Sequence, residues 1–453
     1  MLSARIRHTR VAVALLLPLP LACASSTTGG LPAPDAGAGP LPVPVRAPLT
    51  MDCCMADGLR IAERYRASAI ASRRFTHETL WRALDPILRD EAFRVEEIGR
   101  SVHGREIRAI TWGRGPTTVL MWSQMHGDES TATMALADLL GWLAADDPDP
   151  RRERIAEGVT VTFVPMLNPD GAELFQRQNA LGIDVNRDAR RLSTPEGRAL
   201  KAIHSRLQPD FGFNLHDQNA RTAAGPEGRQ AAIALLAPAF DEARSYNDVR
   251  SRARLVAATI VEQLEREIPG RVAKYDDTFN PRAFGDLIQQ WETSTVLVES
   301  GALPDDPDKQ RLRRVNVGIL LTALDAIATG RYRDADPDLY EDLPYNASIT
   351  RDVLVMGGTM VLPDGRTFVA DLGFTYDDAL TQSGDLRLRE VGDLEGSTAL
   401  DTVDARGLFL HIEPAMLATR GGNAWLRLGA EANLVIRRAE SRTSAIVRRL
   451  GGG

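Results

Sequence analysis

A chain of 453 residues is long enough for two or three domains and a sizeable core. With 54 Lys and Arg against 61 Asp and Glu, its formal charge of −7 argues against nucleic acid as a partner. Three cysteines, Cys23, Cys53 and Cys54, leave the body of the chain without a disulfide framework.

Arg5, Arg7 and Arg10 precede the apolar run VAVALLLPLPLA, which is too short to span a bilayer, so residues 1–24 read as an export signal. Two processing routes stay open. Ala22-Cys23-Ala24 fits an A-x-A site, which would release a soluble protein. Leu21-Ala22-Cys23 resembles a lipobox, which would put a lipid anchor on Cys23, although Pro20 stands where a lipobox usually has Leu. Residues 25–50, rich in Ser, Thr, Gly, Pro and Ala, read as a disordered tether. The expectation is an exported protein, periplasmic or secreted or lipid-anchored, with no transmembrane helix in the mature chain.

Residues 51–74 read as an N-terminal helical segment, since Leu59, Ala62, Tyr65 and Ala69 share one helix face. Leu80, Leu84, Ile87 and Leu88 continue the pattern in a second helix. The stretch from Glu91 to Gly115 alternates like a hairpin, with HGR at 103–105 as its turn and His103 solvated there. Thr117–Trp122 is a buried strand whose polar end presents His126 and Glu129, and a helical pattern follows from Ser130. A second buried strand, GVTVTFVPM, runs into the turn NPDG at 168–171. TPEGRALKAIHSRLQ is a helix with Thr194 as its N-cap, and PDFGFNLHDQN is a third strand ending in His216. A long amphipathic helix spans 244–270, TSTVLVES at 293–300 is a further buried strand, and a closing helix spans 311–330. Strands alternating with helices over 75–335 mean an α/β domain with a largely parallel sheet covered on both faces. DADPDLYEDLP, acidic and Pro-containing, reads as a linker. From 345 to 453 short strands with turn signals, among them Pro363-Asp364-Gly365, make a small all-β module of sandwich or barrel kind. His411 alternates with apolar neighbours there and reads as structural.

An imidazole and a carboxylate three residues apart on one turn can grip one metal ion from the same side. Hydrolytic zinc takes three N/O protein ligands and keeps a fourth position open, so His126, Glu129 and His216 make a complete set. Glu299, at the end of its strand, is the candidate general base. Arg177 offers a fixed cation for a developing oxyanion. Asn186 and Arg187 offer an amide beside a planar guanidinium, which suits a substrate carboxylate. Each stretch is a weak signal alone, since NPDG is usually only a turn and a lone His or Glu at a strand end is usually structural.

In this order, H-G-D-E at 126–129, N-P-D-G, Arg177, Asn186-Arg187, His216 and Glu299 resemble the zinc carboxypeptidase family, the carboxypeptidase A-like metallopeptidases. IGRSVHGREI at 98–107 and TPEGRAL at 194–200 add to the likeness, which covers roughly residues 75–330. The resemblance implies an α/β/α sandwich with a mixed, largely parallel eight-stranded sheet. It also implies one Zn2+ ion on His126, Glu129 and His216. Arg177 would aid catalysis, Asn186 and Arg187 would bind the terminal carboxylate, and Glu299 would act as general base and then acid. Departures are visible. Asp188 and Ala189 follow Arg187 where the family has Asn and an aromatic, and Asp217 follows His216 where a small residue is usual. Asp277 stands where the family has its substrate-closing tyrosine, and Tyr275 lies two positions away. Phe284 falls near the expected pocket floor and favours an apolar side chain. The short connection between NPDG and Asn186 implies an open cleft.

The function expected is that of an exported zinc-dependent metallocarboxypeptidase acting on peptides. Three alternatives stay open: a hydrolase of peptidoglycan stem peptides with a muropeptide substrate, an N-acyl amino acid deacylase, and a peptide-binding pseudo-enzyme.

Overall fold

The computed structural model describes residues 54–226 and 229–451; the expected export signal, the Cys23 lipid site and the tether lie outside the described residues. Eight strands form one mixed sheet: β1 (Phe93–Arg100), β2 (Glu106–Gly113), β3 (Thr117–Ser123), β4 (Val159–Val164), β5 (Phe211–Asp217), β7 (Ile233–Leu236), β8 (Val272–Lys274) and β9 (Ser294–Ser300). The intervening β6 (Thr222–Ala224) belongs to a separate pair. In space the order is β1-β2-β4-β3-β5-β9-β7-β8. The four central strands β4, β3, β5 and β9 run parallel, while β1, β2 and the β7 edge bring antiparallel pairings. The short strands β7 and β8 carry no alternation, and periodicity alone does not find them.

The period of two along each central strand divides its side chains between two cores. Val119 and Met121 of β3 face one, with Phe213 of β5 and Val298 of β9. That face is covered by α1 (Cys54–Arg64), α2 (His77–Leu84), α3 (Thr131–Leu143), α4 (Pro150–Gly158), α7 (Asp248–Glu267) and α9 (Gln310–Thr329). Leu120 and Trp122 face the other, under α6 (Pro195–Leu207) and α8 (Phe284–Gln290). A short α5 (Pro169–Leu174) starts at NPDG. Among the described residues no helix is long and apolar enough to cross a membrane.

The N-terminal helical segment is built into this sandwich. Gly58 of α1 meets Gly318 of α9 so closely that a Cβ on Gly58 would lie 2.3 Å from the Gly318 Cα. Beside that contact, Arg313 of α9 is buried and donates to both Asp138 carboxylate oxygens at 2.7 and 2.5 Å. It also donates to the carbonyls of Ile70 (2.6 Å) and Ala67 (3.2 Å), stitching the segment after α1 onto α3 and α9.

The stretch 334–344 is not a free linker, because its one aromatic residue, Tyr340, is packed. It holds the short α10 (Asp338–Glu341), and Tyr340 is buried with its hydroxyl accepting the Ala237 N–H at 3.0 Å. Glu341 pairs with Lys274 at 3.0 Å. Next, β10 (Asn346–Ser348) pairs antiparallel with β6 of the α/β domain. The module proper contains β11 (Arg351–Val361), β12 (Thr367–Thr375), β13 (Arg387–Gly392), β14 (Ala399–Asp404), β15 (Phe409–Ile412), β18 (Asn433–Arg437) and β19 (Ile446–Gly451). A separate hairpin, β16 (Leu417–Arg420) with β17 (Asn423–Leu426), lies between β15 and β18 in the chain. The seven strands form a single sheet, not two facing ones. It curls because β13 also bonds the segment before β18, with Gly429 N–H donating to Leu388 O (2.7 Å) and Ala432 N–H to Leu386 O (2.6 Å). Phe374, Leu388, Leu410 and Ile436 fill the resulting core.

Arg313→Met leaves Asp138 buried without its counter-charge, and such a loss costs about 3–5 kcal/mol. Chemical denaturation followed by circular dichroism should show that drop, with partial recovery when Asp138→Leu is added.

Candidate active site

Gln124, with φ at +50°, breaks β3 and swings the chain into the turn that presents His126 and Glu129. Gly127 lies in that turn because a Cβ there would come within 2.0 Å of the Gly171 backbone. Asn168 holds both neighbours. Its Oδ1 accepts the Gly171 N–H (2.9 Å) and so caps α5, and its Nδ2 donates to the carbonyls of Met125 (3.3 Å) and Arg177 (3.4 Å). NPDG is thus a helix start that ties the His126 turn to the Arg177 loop. Asp170 in the same motif is buried and fixes the 101–105 turn through Ser101 Oγ, His103 N–H and Arg105 at 2.8, 3.0 and 2.7 Å.

The other half of the site comes from the sheet. Parallel pairing of β5 with β9 makes His216 and Glu299 register partners, side by side on one face. Glu129 Oε1 lies 2.8 Å from His126 Nδ1, and Glu129 Oε2 lies 2.6 Å from His216 Nδ1. All three side chains are buried, and their ligand atoms lie within 4.8 Å of one another. Asp184 Oδ1 sits 3.0 Å from His126 Nε2, so that nitrogen can donate while Nδ1 keeps its lone pair inward. Asn186 Nδ2 lies 3.4 Å from His216 Nε2. Two imidazole nitrogens and a carboxylate converging, with Asp184 as the acceptor behind the His126 ring, are the donor set that zinc takes.

Charge follows the geometry. Burial opposes protonation of His126, but Glu129 and Asp184 outweigh it and raise the imidazole to about 9. Burial works against the Glu129 carboxylate as well, yet the two histidines hold it well below the usual range. Burial lowers His216 and so favours its neutral form. Glu299 is pushed up to about 8 by burial and by the nearby Glu129 charge.

Arg177 donates to Glu129 Oε1 at 3.1 Å and to Asp184 at 3.1 Å, so its guanidinium stands beside the cluster. Asn186 Oδ1 accepts the Phe284 N–H (2.9 Å), and Arg187 leans on the Asn186 carbonyl (3.0 Å). His126, Glu129, Arg177, Asn186, Arg187, His216, Tyr275 and Glu299 all line one cleft of about 900 Å³. Tyr275 is 36% exposed there, and the Glu299 charge followed by burial raises its phenol. Asp277 turns away from it to pair with Arg250 (2.9 Å).

Phe284 does not line the cleft. As the first residue of α8 it is turned into the core beneath the sheet, fully buried against Trp291, and it serves the site only through its backbone N–H. Gly285 and Asp286 line the cleft in its place. The other departures have structural roles. Asp188 accepts the Thr194 N–H and hydroxyl at 2.7 and 2.8 Å at the start of α6, and Asp217 forms a buried pair with Lys309 at 2.9 Å. Sequence reasoning also missed Asp184, Asn214 and residues 345–348. Of these only Asp184 carried a signal, as a carboxylate two residues before Asn186 whose Oδ1 accepts the Asn186 N–H (2.9 Å).

Residues 87–231 match the profile of the zinc carboxypeptidase family. A stretch of 158 residues is 27% identical to Carboxypeptidase 2 of Trichophyton tonsurans, covering 34% of this chain and 29% of that protein. Carboxypeptidase M of Mus musculus is 27% identical over 111 residues, which is 21% of this chain and 25% of the relative. The chain therefore spans under a third of the length of these curated relatives. Among solved structures, a metallo-carboxypeptidase from Burkholderia cenocepacia is similar over 56% of this chain and 70% of that one, at 20% identity and a TM-score of 0.45. His216 falls inside the matched stretch while Tyr275 and Glu299 lie beyond it, so the likeness to the zinc carboxypeptidase family is carried by residues 87–231.

Proposed function

We propose that the chain is an exported, zinc-dependent metallocarboxypeptidase that removes residues from the C-terminal ends of peptides. The observation that carries this reading is the Asn186–Arg187 pair in the same cleft as the His126–Glu129–His216 cluster and Glu299. Export rests on the sequence of residues 1–24.

In this reading Asn186 and Arg187 grip the terminal carboxylate, which sets the last peptide bond against the cluster. Zinc, when bound by His126, Glu129 and His216, supplies a Lewis acid that polarises a carbonyl oxygen and acidifies water. Glu299 takes the proton from the attacking water and later delivers it to the leaving amine; a carboxyl raised by burial suits both duties near neutral pH. Arg177 offers charge to the oxyanion, and Tyr275 lines the cleft within reach of the Glu299 field.

The side-chain preference follows from Asp286 and not from Phe284. Asp286 accepts the Asn280 N–H at 2.8 Å, burial pushes its carboxyl up to about 6, and Arg187 lies near enough to oppose that shift. A carboxylate beside the Asn186–Arg187 pair, walled by Asn214, Pro238 and Leu297, favours a cationic C-terminal side chain over an apolar one.

Four outcomes are expected. Chelation should abolish release of C-terminal residues from a mixed peptide and muropeptide library, with zinc restoring it. Glu299→Gln should keep one zinc per chain while kcat falls by about 10²–10⁴. A zinc-loaded protein that releases no residue from either pool would sink the reading, and internal cuts in stem peptides would move it to the cell wall. Arg187→Ala should lower kcat/KM by about ten- to a hundredfold on free acids, from the loss of a charged hydrogen bond. The variant should then act almost equally on peptide acids and amides. Asp286→Asn should lower the ratio of kcat/KM for C-terminal Lys over Leu by about tenfold or more, read by competition in one mixture.

A further inference from the structure

β10 leaves its own module to join the α/β domain. Asn346, Ala347 and Ser348 face Ala224, Ala223 and Thr222 in antiparallel register. Gly225 N–H donates to Tyr345 O (3.0 Å) and Ile349 N–H to Arg221 O (2.9 Å). Those two bonds make Asn346 and Ser348 the non-hydrogen-bonded positions of the pair, so their own backbone groups point away from β6. The parallel bridge of Tyr345 to Lys274 covers the start of that outer edge, and the Thr398 hydroxyl donates to the Ser348 carbonyl at 2.9 Å. Between them the Asn346 carbonyl and the Ser348 N–H point outward, and among the described residues no second strand lies against them. These two groups flank Ala347. They match the C=O and N–H with which a strand holds one residue of a parallel neighbour.

This edge borders the cleft. Tyr345, Asn346, Ala347 and Ser348 line it together with His216 and Glu299, and Ser348 is exposed. Asn346 Nδ2 donates to Gln218 Oε1 at 2.7 Å, and Gln218 N–H donates to Ser300 O at 3.0 Å. Gln218 lies two residues, about 7 Å, past His216 along the chain, and Ser300 is one past Glu299, so the Gln218 side chain links the edge to the strand ends that carry His216 and Glu299.

We infer that β10 is a docking edge for the part of the peptide substrate ahead of the cut, which adds to it as a further extended strand. The inference rests on the carboxypeptidase reading and names its substrate class: extended polypeptide chains of several residues, held by backbone and not by side chain. A dipeptide reaches the Asn186–Arg187 pair but not the edge.

The test uses zinc-loaded full chain and N-acetylated peptides that share one C-terminal residue and carry one to six residues ahead of it. kcat/KM should rise about tenfold once about three upstream residues are present, the worth of two backbone hydrogen bonds, and then level off. Methylating the backbone nitrogen of the residue opposite Ala347 should cancel the rise in the unaltered protein. Ser348→Pro should erase the difference between long and short peptides. Equal rates across the series, or no effect of methylation at any upstream position, overturn the docking edge while leaving the peptidase activity standing. No release at any length with zinc bound overturns both.

Discussion

The site hangs on the parallel pairing of β5 with β9. It sets His216 opposite Glu299, so one strand brings an imidazole of the candidate metal cluster and its neighbour brings a second carboxylate beside it. A slip of one residue in that register would send one of the two into the opposite core. Both cores argue against such a slip, since Phe213 and Val298 must face the helical layer that holds α3 and α9. The packing of apolar side chains several residues away thereby fixes the separation between His216 and Glu299.

Around that pair, electrostatics divides labour among three acids of different surroundings. Glu129 is kept ionised between two imidazoles, Asp184 is kept ionised beside His126 and Arg177, and Glu299 is raised by burial beside Glu129. Like carboxylates in one pocket cannot all ionise with equal ease, and the cluster resolves the conflict by giving the cations to two of them. The remaining one is left as the group most ready to exchange a proton.

Legibility in the sequence followed the length of the periodic run. The central strands, α3, α7 and α9 were plain, because long apolar patterns with clear ends leave few alternatives, and His126, Glu129, His216 and Glu299 sit at the ends of such runs. What failed was short or non-periodic. β7 and β8 are too brief to alternate, and the acidic stretch at 334–344 masked the packing of Tyr340. Phe284 failed for a different reason. Counting back from Glu299 reaches the right loop, but one residue of helix rotation at the start of α8 decides whether a side chain enters the cleft or the core, and spacing does not resolve 100°. Residues 345–348 could not be assigned to the cleft at all, since nothing local says that a strand will pair more than a hundred residues back in the chain.

That pairing bears on how such a protein can change over evolutionary time. The α/β domain holds the reacting groups, yet a wall of its cleft is encoded in the first residues of the other module. Recombination at the acidic stretch would therefore not exchange an inert appendage. It would exchange part of the wall of the cleft, so the two modules are expected to be inherited as a pair.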